Sequence, residues 1–296
     1  MSFQLIYGAA GTGKSTYILN KMKSCAAQGG SALLIVPEQF SHIAETQLIG
    51  AAGFLSPDIQ ATSFARLARR ALADAGRAGA PVDAAGKHML MARVLSEINQ
   101  ELTVFRGAWE KPGFLTTLLD LISDFKRAQL DSGKLSEYAQ NGEENPLLRQ
   151  KLAELGLIYA RYEEVLSGSF ADAEDNVTLL AKLIMEQSLF VGTEVYLDGF
   201  FRFTANELDV VRSLLSVGAS VVVSVCASTP AKAGDGIFEP CHQTAARLCA
   251  IARERRTAAA PNLPDTAVSV SKIARAGAFG VTVISLPKRG ISGSNA

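Results

Sequence analysis

Short apolar runs alternate with helical periodicity at the start of the chain. Residues 3–7 and 32–36 are two such runs, and Pro37 closes the second. Continuous apolar runs of this length are typical of strands buried on both faces of a parallel sheet. The stretch from Tyr17 to Met22, between the runs, has a helical pattern. This alternation predicts a parallel α/β fold.

The middle of the chain has a different pattern, with apolar residues at helical spacing over 88–98, 114–130 and 147–166. Within the second and third stretches, the residues predicted to share one helix face are Phe114, Leu118, Leu119, Ile122 and Phe125, and Leu148, Leu152, Leu155, Tyr159 and Tyr162. These stretches predict a helical insertion in the α/β fold.

Strand patterns return at 194–198 and 220–225, with a helical pattern over 205–211 between them. The α/β core is therefore expected to resume after the insertion. The predicted regions are a first part of the core over 1–75, the insertion over 76–189, a second part of the core over 190–256 and an unassigned tail over 257–296. The tail contains two weak strand-like runs, 267–270 and 281–284.

The candidate chemistry begins at a Gly-rich loop, GAAGTGKS, that follows the first apolar run. The spacing G-x-x-x-x-G-K-S is typical of a phosphate-binding loop, in which backbone N–H groups and a lysine surround phosphates and a hydroxyl binds Mg²⁺. The helix that follows directs its N-terminus at the anion. The residues predicted to bind nucleotide are Gly8, Gly11, Thr12, Gly13, Lys14, Ser15 and Thr16. The alternative is a Gly-rich turn with no ligand.

A phosphate-binding loop of this kind needs a carboxylate to help hold the metal ion, and an apolar strand that ends in Asp supplies one. Asp198 follows such a strand, so Ser15 and Asp198 are the predicted Mg²⁺ ligands. Both are expected at the carboxyl edge of the sheet. Gly199 follows Asp198, where hydrolysing helicases usually carry a Glu. Glu207, further on, is also explained as a first-turn acidic residue that is favourable to the helix dipole.

Composition narrows the class of protein without identifying a ligand. The chain has 296 residues, 48% of them hydrophobic, and its 29 basic and 29 acidic residues give no net charge, so any nucleic-acid site must be local. Neither a spanning segment nor a signal peptide is visible, which predicts a cytoplasmic protein without a membrane partner. The four cysteines are expected to be reduced, and no zinc or iron–sulfur site is predicted; Cys241, His242 and Cys249 lack the usual ligand spacing.

Four segments carry a more specific signal: GAAGTGKS, 36–40 with Ala44-Glu45, 63–68 and 197–207. In order and spacing, from the first residue to about residue 256, they resemble the AddB/RexB family, the B subunits of bacterial ATP-dependent helicase/deoxyribonucleases. The pattern D-G-F-x-x-F-T-x-x-E, which begins at Asp198, distinguishes this family from ordinary superfamily 1 helicases and also argues against a small-molecule kinase. The resemblance implies a RecA-like P-loop NTPase domain of superfamily 1 type with a helical insertion.

The resemblance also implies ATP and Mg²⁺ as cofactors, an AddA-type helicase/nuclease subunit as partner, and a role in double-strand break repair and recombination. Family members are several times longer and carry a second helicase-like half, which completes the ATP site, a nuclease domain and an iron–sulfur cluster bound mostly near their C-terminus. This sequence lacks a nuclease motif and the cluster's cysteine spacing. We therefore expect a truncated, fragmentary or frame-shifted chain, and leave open whether it is an enzyme by itself.

DNA contacts are predicted from the same resemblance at Gln39, Phe40, Ser63, Phe64 and Arg66. An arginine pairs with phosphate, and a Phe ring stacks on a base. The alternatives are that Phe40 or Phe64 belongs to the core and that Arg66, Arg69 and Arg70 form a solvated face. Two hypotheses therefore remain for the function: an ATP-driven part of a helicase/exonuclease, and a nucleotide-binding scaffold that holds or recognises DNA without hydrolysis.

Overall fold

The computed structural model describes residues 2–52, 58–141, 145–167, 170–171, 173–227, 236–259, 269–273 and 281–286. The chain forms two compact units. The first comprises Met1–Ala68, Leu180–Phe203 and Glu207–Ala296, and the second comprises Arg69–Leu179 and Thr204–Asn206. The sequence predicts a helical insertion at 76–189, and the main segment of the second unit is Arg69–Leu179.

The first unit is built on a sheet in which seven strands are described. Five of them are parallel, in the order β3-β2-β6-β7-β1, and β9 and β8 continue the sheet antiparallel beyond β1. The strands are β1 (Ser2–Gly8), β2 (Ala32–Ile35), β3 (Ile59–Thr62), β6 (Glu194–Leu197), β7 (Ser220–Cys226), β8 (Ser269–Ile273) and β9 (Val281–Leu286). The predicted parallel α/β fold is confirmed.

Helices of the described residues connect these strands and cover the sheet. The first unit contains α1 (Lys14–Ala27), α2 (Ser41–Ala52), α3 (Phe64–Asp74), α9 (Ala205–Ser216) and α10 (Glu239–Ala259), with short 3₁₀ helices at Glu38–Phe40 and Gly236–Phe238. Of these, α3 and α9 lie partly in the second unit. Ile18 and Met22 of α1 are fully buried against the sheet residues Ile6, Leu34 and Tyr196. Burial on both faces explains why the strands are apolar without alternation.

The second unit is mainly helical. It contains α4 (Ala84–Ile98), α5 (Phe114–Arg127), α6 (Ser132–Asn141), α7 (Pro146–Ser167) and α8 (Ala173–Gln187), a 3₁₀ helix at Ala108–Glu110, and the short parallel pair β4 (Ala80–Pro81) and β5 (Phe170–Ala171). Helix α8 continues into the first unit. Met91, Leu95, Ile122 and Tyr162 form part of its core. The helices predicted from the periodicity of the middle of the chain are therefore confirmed.

Two buried charged groups stabilise this helical unit. Glu154 of α7 is 7% exposed and accepts hydrogen bonds from the backbone N–H groups of Thr103, Val104 and Phe105, at 2.9 to 3.1 Å. Lys126 of α5 is 6% exposed, and its Nζ lies 2.6 Å from Oδ2 of Asp175 on α8. Each group is paired, as the high cost of burying an isolated charge requires.

No helix in the described ranges combines the length and the apolar character that crossing a bilayer would demand.

Candidate functional site

The Gly-rich loop connects the end of β1 to the start of α1 and is closed by its own side chains. Lys14 Nζ donates hydrogen bonds to the carbonyl oxygens of Gly8, at 2.7 Å, and Ala9, at 2.8 Å. The Thr12 hydroxyl donates to the same Ala9 carbonyl at 2.9 Å. The lysine ammonium therefore lies inside the curve of the loop, where a cation would meet an anionic ligand.

Glycine is required at three positions of this loop for two different reasons. Gly11 and Gly13 have φ angles of 77° and 91°, in the left-handed region that other residues adopt only at a cost. At Gly8 the reason is space, since an added Cβ would overlap the Thr12 hydroxyl. A Cβ at Gly11 would meet nothing within 4 Å, so the loop leaves open space at that point.

The N-terminus of α1 suits an anion. Gly13 precedes the helix and supplies no capping side chain, and the first turn contains no acidic residue. Uncapped N–H groups and the helix dipole both favour negative charge at this position. Ser15 and Thr16 lie in the same turn with exposed side chains. The predicted phosphate-binding residues thus lie in the loop and in the first turn of α1.

Asp198 lies at the same carboxyl edge of the sheet, one residue after β6. Its backbone N–H donates to the Ile35 carbonyl at 3.1 Å, and its Oδ1 accepts a hydrogen bond from the Ser224 hydroxyl. Ser224 is on β7, which separates β6 from β1 and pairs with both. Sequence reasoning missed Ser224, although a hydroxyl inside the apolar run 221–225 was the available signal.

The segment after Asp198 is fixed by aromatic packing. Gly199 has a φ of 80°, which explains a glycine at this position. The rings of Phe200 and Phe203 stack with centroids 4.6 Å apart, and both contact Phe64. The two Phe of the D-G-F-x-x-F pattern therefore anchor this segment. Glu207 lies in the first turn of α9, consistent with the helix-dipole explanation.

The residues predicted to contact DNA lie after β2 and β3, whose carboxyl ends are adjacent. Ser63 Oγ donates to Oε2 of Glu38 and accepts from the Arg66 N–H at 3.2 Å, so Ser63 caps α3 and links the two segments. Arg66 forms an ion pair with Glu45, at 2.7 Å between Nη1 and Oε1. Its side chain is 38% exposed, which leaves part of the guanidinium accessible.

The two Phe of this predicted DNA surface differ in burial. Phe40 is 47% exposed, and Gln39 beside it is exposed as well. Phe64 is 3% exposed and belongs to the aromatic cluster with Phe200 and Phe203. The burial of Phe64 favours the core interpretation over stacking on a base, whereas Phe40 remains available. Arg69 and Arg70 have exposed side chains.

A buried thiol lies near the loop. All four cysteines are free thiols, and Cys241 is 1% exposed. Burial raises the pKa of the Cys241 thiol, the proximity of Cys226 raises it further, and Lys14 opposes the change. Cys241 is therefore a protonated core residue at neutral pH. Within the residues the structure describes, His, Cys, Asp and Glu form no group of three that could hold a metal ion.

The fold and the site together define a parallel α/β protein. A Gly-rich loop follows its strand β1, and a carboxylate, Asp198, follows β6, which β7 separates from β1 in the sheet. The chain belongs to the AddB N-terminal family, whose sequence model matches residues 5–273. The match extends beyond the resemblance seen in the sequence, which ends at about residue 256, and includes β8, in the stretch that the sequence left unassigned.

Curated relatives agree with this assignment. The chain is 34% identical over 232 residues to the B subunit of the ATP-dependent helicase/deoxyribonuclease of Clostridium tetani, and equally to that of Acetivibrio thermocellus. It is 34% identical over 236 residues to the corresponding protein of Bacillus anthracis. Each match covers 76% of this chain and 20% of the relative. The chain thus spans about a fifth of the length of these relatives.

Proposed function

We propose that this chain is the nucleotide- and DNA-binding N-terminal region of an AddB-type subunit of an ATP-dependent helicase/exonuclease. In this proposal a RecA-like P-loop domain of superfamily 1 type binds Mg·ATP, and its neighbouring sheet edge holds a DNA strand. The subunit acts with an AddA-type helicase/nuclease partner in double-strand break repair and recombination. Family membership and the names of the relatives support this assignment.

The position of the Lys14 ammonium is the observation that carries the nucleotide-binding proposal. Its Nζ is held 2.7 Å and 2.8 Å from two loop carbonyls, beside the uncapped N-terminus of α1. A phosphate at this position would accept hydrogen bonds from the same ammonium group. A loop that holds a lysine inward in this way is arranged for an anion.

The residues present also fit a magnesium ion. Ser15 provides an exposed hydroxyl and Asp198 a carboxylate, the oxygen ligands that Mg²⁺ prefers. A bound Mg²⁺ would neutralise phosphate charge. The Ser224 hydroxyl, by donating to Oδ1 of Asp198, orients this carboxylate and leaves Oδ2 for the ion.

The DNA-binding part of the proposal rests on the edge after β2 and β3. Phe40 presents an exposed ring, Gln39 beside it in the chain is exposed as well, and Arg66 at the start of α3 offers a partly exposed cationic side chain. Aromatic rings that stack on bases and cations that meet phosphates are the usual combination in single-strand binding. The bond between Ser63 and Glu38 holds these two segments together. Phe64 is buried and is not part of this surface.

A second candidate function, a non-hydrolysing scaffold, is favoured by one observation. Gly199 occupies the position after Asp198 and has a φ of 80°. A Glu at that position would have no strain-free way to adopt the same backbone. In this version nucleotide binding stabilises the domain, and the chain holds or recognises DNA while its partner subunit supplies the motor activity.

Calorimetry with Mg·ATP tests nucleotide binding, with Lys14→Ala as the variant and Lys23→Ala, an exposed residue of the same helix, as the control. We expect Lys14→Ala to weaken binding by at least about tenfold, the order of one charge-assisted contact, and Lys23→Ala to leave it unchanged. Circular dichroism checks that both variants fold. Equal affinity in all three proteins would refute the site.

Steady-state ATPase activity then separates the two functions. Turnover that rises with single-stranded DNA supports the motor hypothesis, and binding without turnover supports the scaffold. The measurement requires the purified chain with and without an oligonucleotide, at nucleotide concentrations above the calorimetric Kd.

A further inference from the structure

A polar cavity opens at the surface of the first unit, between the segment that follows β6 and the start of α10, and the two arginines that line it are exposed. Its volume is about 120 Å³. Arg202 and Arg247 line it together with Gln243 and Thr244, and Phe203 contributes part of an apolar wall. None of these residues belongs to the Gly8–Ser15 loop, so the cavity is separate from the proposed nucleotide site.

The charge of this cavity is unbalanced. Two guanidinium groups line it, and no carboxylate in the described part of the chain does. Neither Arg202 nor Arg247 forms an ion pair with a carboxylate of the described residues, in contrast to Arg66 and Arg212, which pair with Glu45 and Asp209. An anion in this cavity would be attracted by both guanidinium groups and repelled by no lining carboxylate.

The segment that carries Arg202 is held on both sides. Phe203 is 9% exposed and stacks on Phe200, and the Thr244 hydroxyl donates to the Phe201 carbonyl at 3.2 Å. Gln243 Nε2 donates to Oε1 of Glu239, which itself does not line the cavity. The backbone that carries the first arginine is therefore anchored to the helix that carries the second.

The size of the cavity limits the ligand. Pockets that enclose whole small-molecule ligands have volumes of roughly 300–1,000 Å³. A cavity of about 120 Å³ is too small for a whole nucleotide and has room for one phosphate group. Guanidinium groups match phosphate by two parallel hydrogen bonds, a geometry that lysine does not provide.

We propose that the cavity between Arg202 and Arg247 is a phosphate-binding site distinct from the Gly-rich loop. The phosphate comes either from the backbone of a single DNA strand or from free phosphate. The first source rests on the DNA-binding part of the proposed function, and the second does not. Removal of either guanidinium removes half of the cationic surface that holds the phosphate.

The test uses the full chain with Arg202→Ala and Arg247→Ala, and Arg253→Ala as the matched control. Arg253 is an exposed arginine of the same helix, α10, that does not line the cavity. One arm measures binding of a labelled single-stranded oligonucleotide by fluorescence anisotropy at several salt concentrations. The other measures binding of inorganic phosphate by calorimetry. Thermal melting confirms folding, and Arg202→Lys and Arg247→Lys replace any alanine variant that fails to fold.

If DNA supplies the phosphate, each alanine variant binds the oligonucleotide at least about fivefold more weakly. The slope of log K against log salt then falls by about 0.7 for each lost contact. If free phosphate is the ligand, only phosphate affinity falls. Wild-type affinity for both ligands in both variants, or no binding of either ligand to the wild type, overturns the proposal. Calorimetry with Mg·ATP on the same variants tests the Gly-rich loop site independently, so that loss of this phosphate site can be distinguished from loss of nucleotide binding.

Discussion

The ring of Phe64 lies 5.6 Å from the ring of Phe200, at an interplanar angle of 59°. Phe64 begins α3, after β3, and Phe200 follows Asp198 by two residues. Phe203 contacts both rings, so a cluster of three aromatic side chains joins two segments that leave the same edge of the sheet. This cluster holds the chain after Asp198 in place, and it gives the aromatic positions of that motif a structural explanation.

Replacement of Phe64 and Phe40 by alanine is expected to separate structural from binding roles. Phe64→Ala removes a buried ring and should lower the free energy of unfolding by about 3–5 kcal/mol, measured by urea denaturation. Phe40→Ala removes a half-exposed ring and should change stability by less than about 0.5 kcal/mol. Only Phe40→Ala is expected to weaken oligonucleotide binding without loss of fold. A Phe64→Ala protein of wild-type stability would contradict the aromatic cluster.

Gly8→Ala tests the packing of the Gly-rich loop. The new methyl group would overlap the Thr12 hydroxyl, so we expect a loss of about 1–3 kcal/mol in the free energy of unfolding and weaker binding of Mg·ATP. In a Thr12→Ala background most of this loss should disappear, since the overlapping hydroxyl is gone. A double-mutant cycle by urea denaturation measures the coupling. Additive effects of the two substitutions would show that the side chains do not meet.

Glu154→Gln tests the buried carboxylate of the helical unit. Its oxygens accept from three consecutive backbone N–H groups, and an amide would present a donor to at least one of them. We expect a loss of about 2–4 kcal/mol in the free energy of unfolding, in the range for removal of charge-assisted bonds. Glu164→Gln, an exposed residue of the same helix, is the control and should cost less than about 1 kcal/mol. Equal losses in both variants would argue against this role for Glu154.

Glu163 makes stability depend on pH. Burial is the largest cause that raises the pKa of this carboxyl above its ordinary value of 4.5; Asp175 and Asp131 raise it further, while Lys126 and a hydrogen bond with Tyr159 oppose the shift. The folded chain thus retains this proton at a pH where the unfolded chain has lost it. The stabilisation is complete below the ordinary pKa and is lost as the pH rises through the folded-state pKa.

Glu163→Gln should therefore remove this pH dependence, because an amide does not ionise. Urea denaturation between about pH 4 and pH 7 spans the ordinary pKa and the range above it. We expect the variant to gain stability relative to the wild type as the pH rises in that window. Glu164→Gln serves again as control and should follow the wild type. A parallel pH course for Glu163→Gln and the wild type would refute the raised pKa.

Elements with strong local patterns could be predicted from the sequence. The apolar run at 3–7 lies in β1 and the run at 32–36 contains β2, because strands that are buried on both faces are mostly apolar. The helices of the middle of the chain were visible because their buried side chains recur at helical spacing. Local pattern thus predicted the parallel sheet and its helices.

Pairings between distant residues could not be predicted. Nothing near Ser224 in the sequence indicates that its hydroxyl donates to Asp198, since that contact depends on the strand order. The burial of Phe64 likewise depends on rings that arrive from the segment after Asp198. Arg202 and Arg247 are far apart in the sequence, and only the fold brings them to one cavity. Site residues that belong to a local motif could therefore be predicted from the sequence, and those brought together by the strand order could not.

The strand that leads into the Gly-rich loop is an interior strand of the sheet. β1 pairs on one side with β7 and on the other with β9, both of which follow the entire helical unit in the chain. Because β1 precedes both partner strands in the chain, its edges have no native partner during synthesis until these later strands leave the ribosomal exit tunnel. Such distant pairings slow folding, and unpaired strand edges promote misassembly. β1 must therefore remain soluble without its neighbouring strands while the whole helical unit is synthesised.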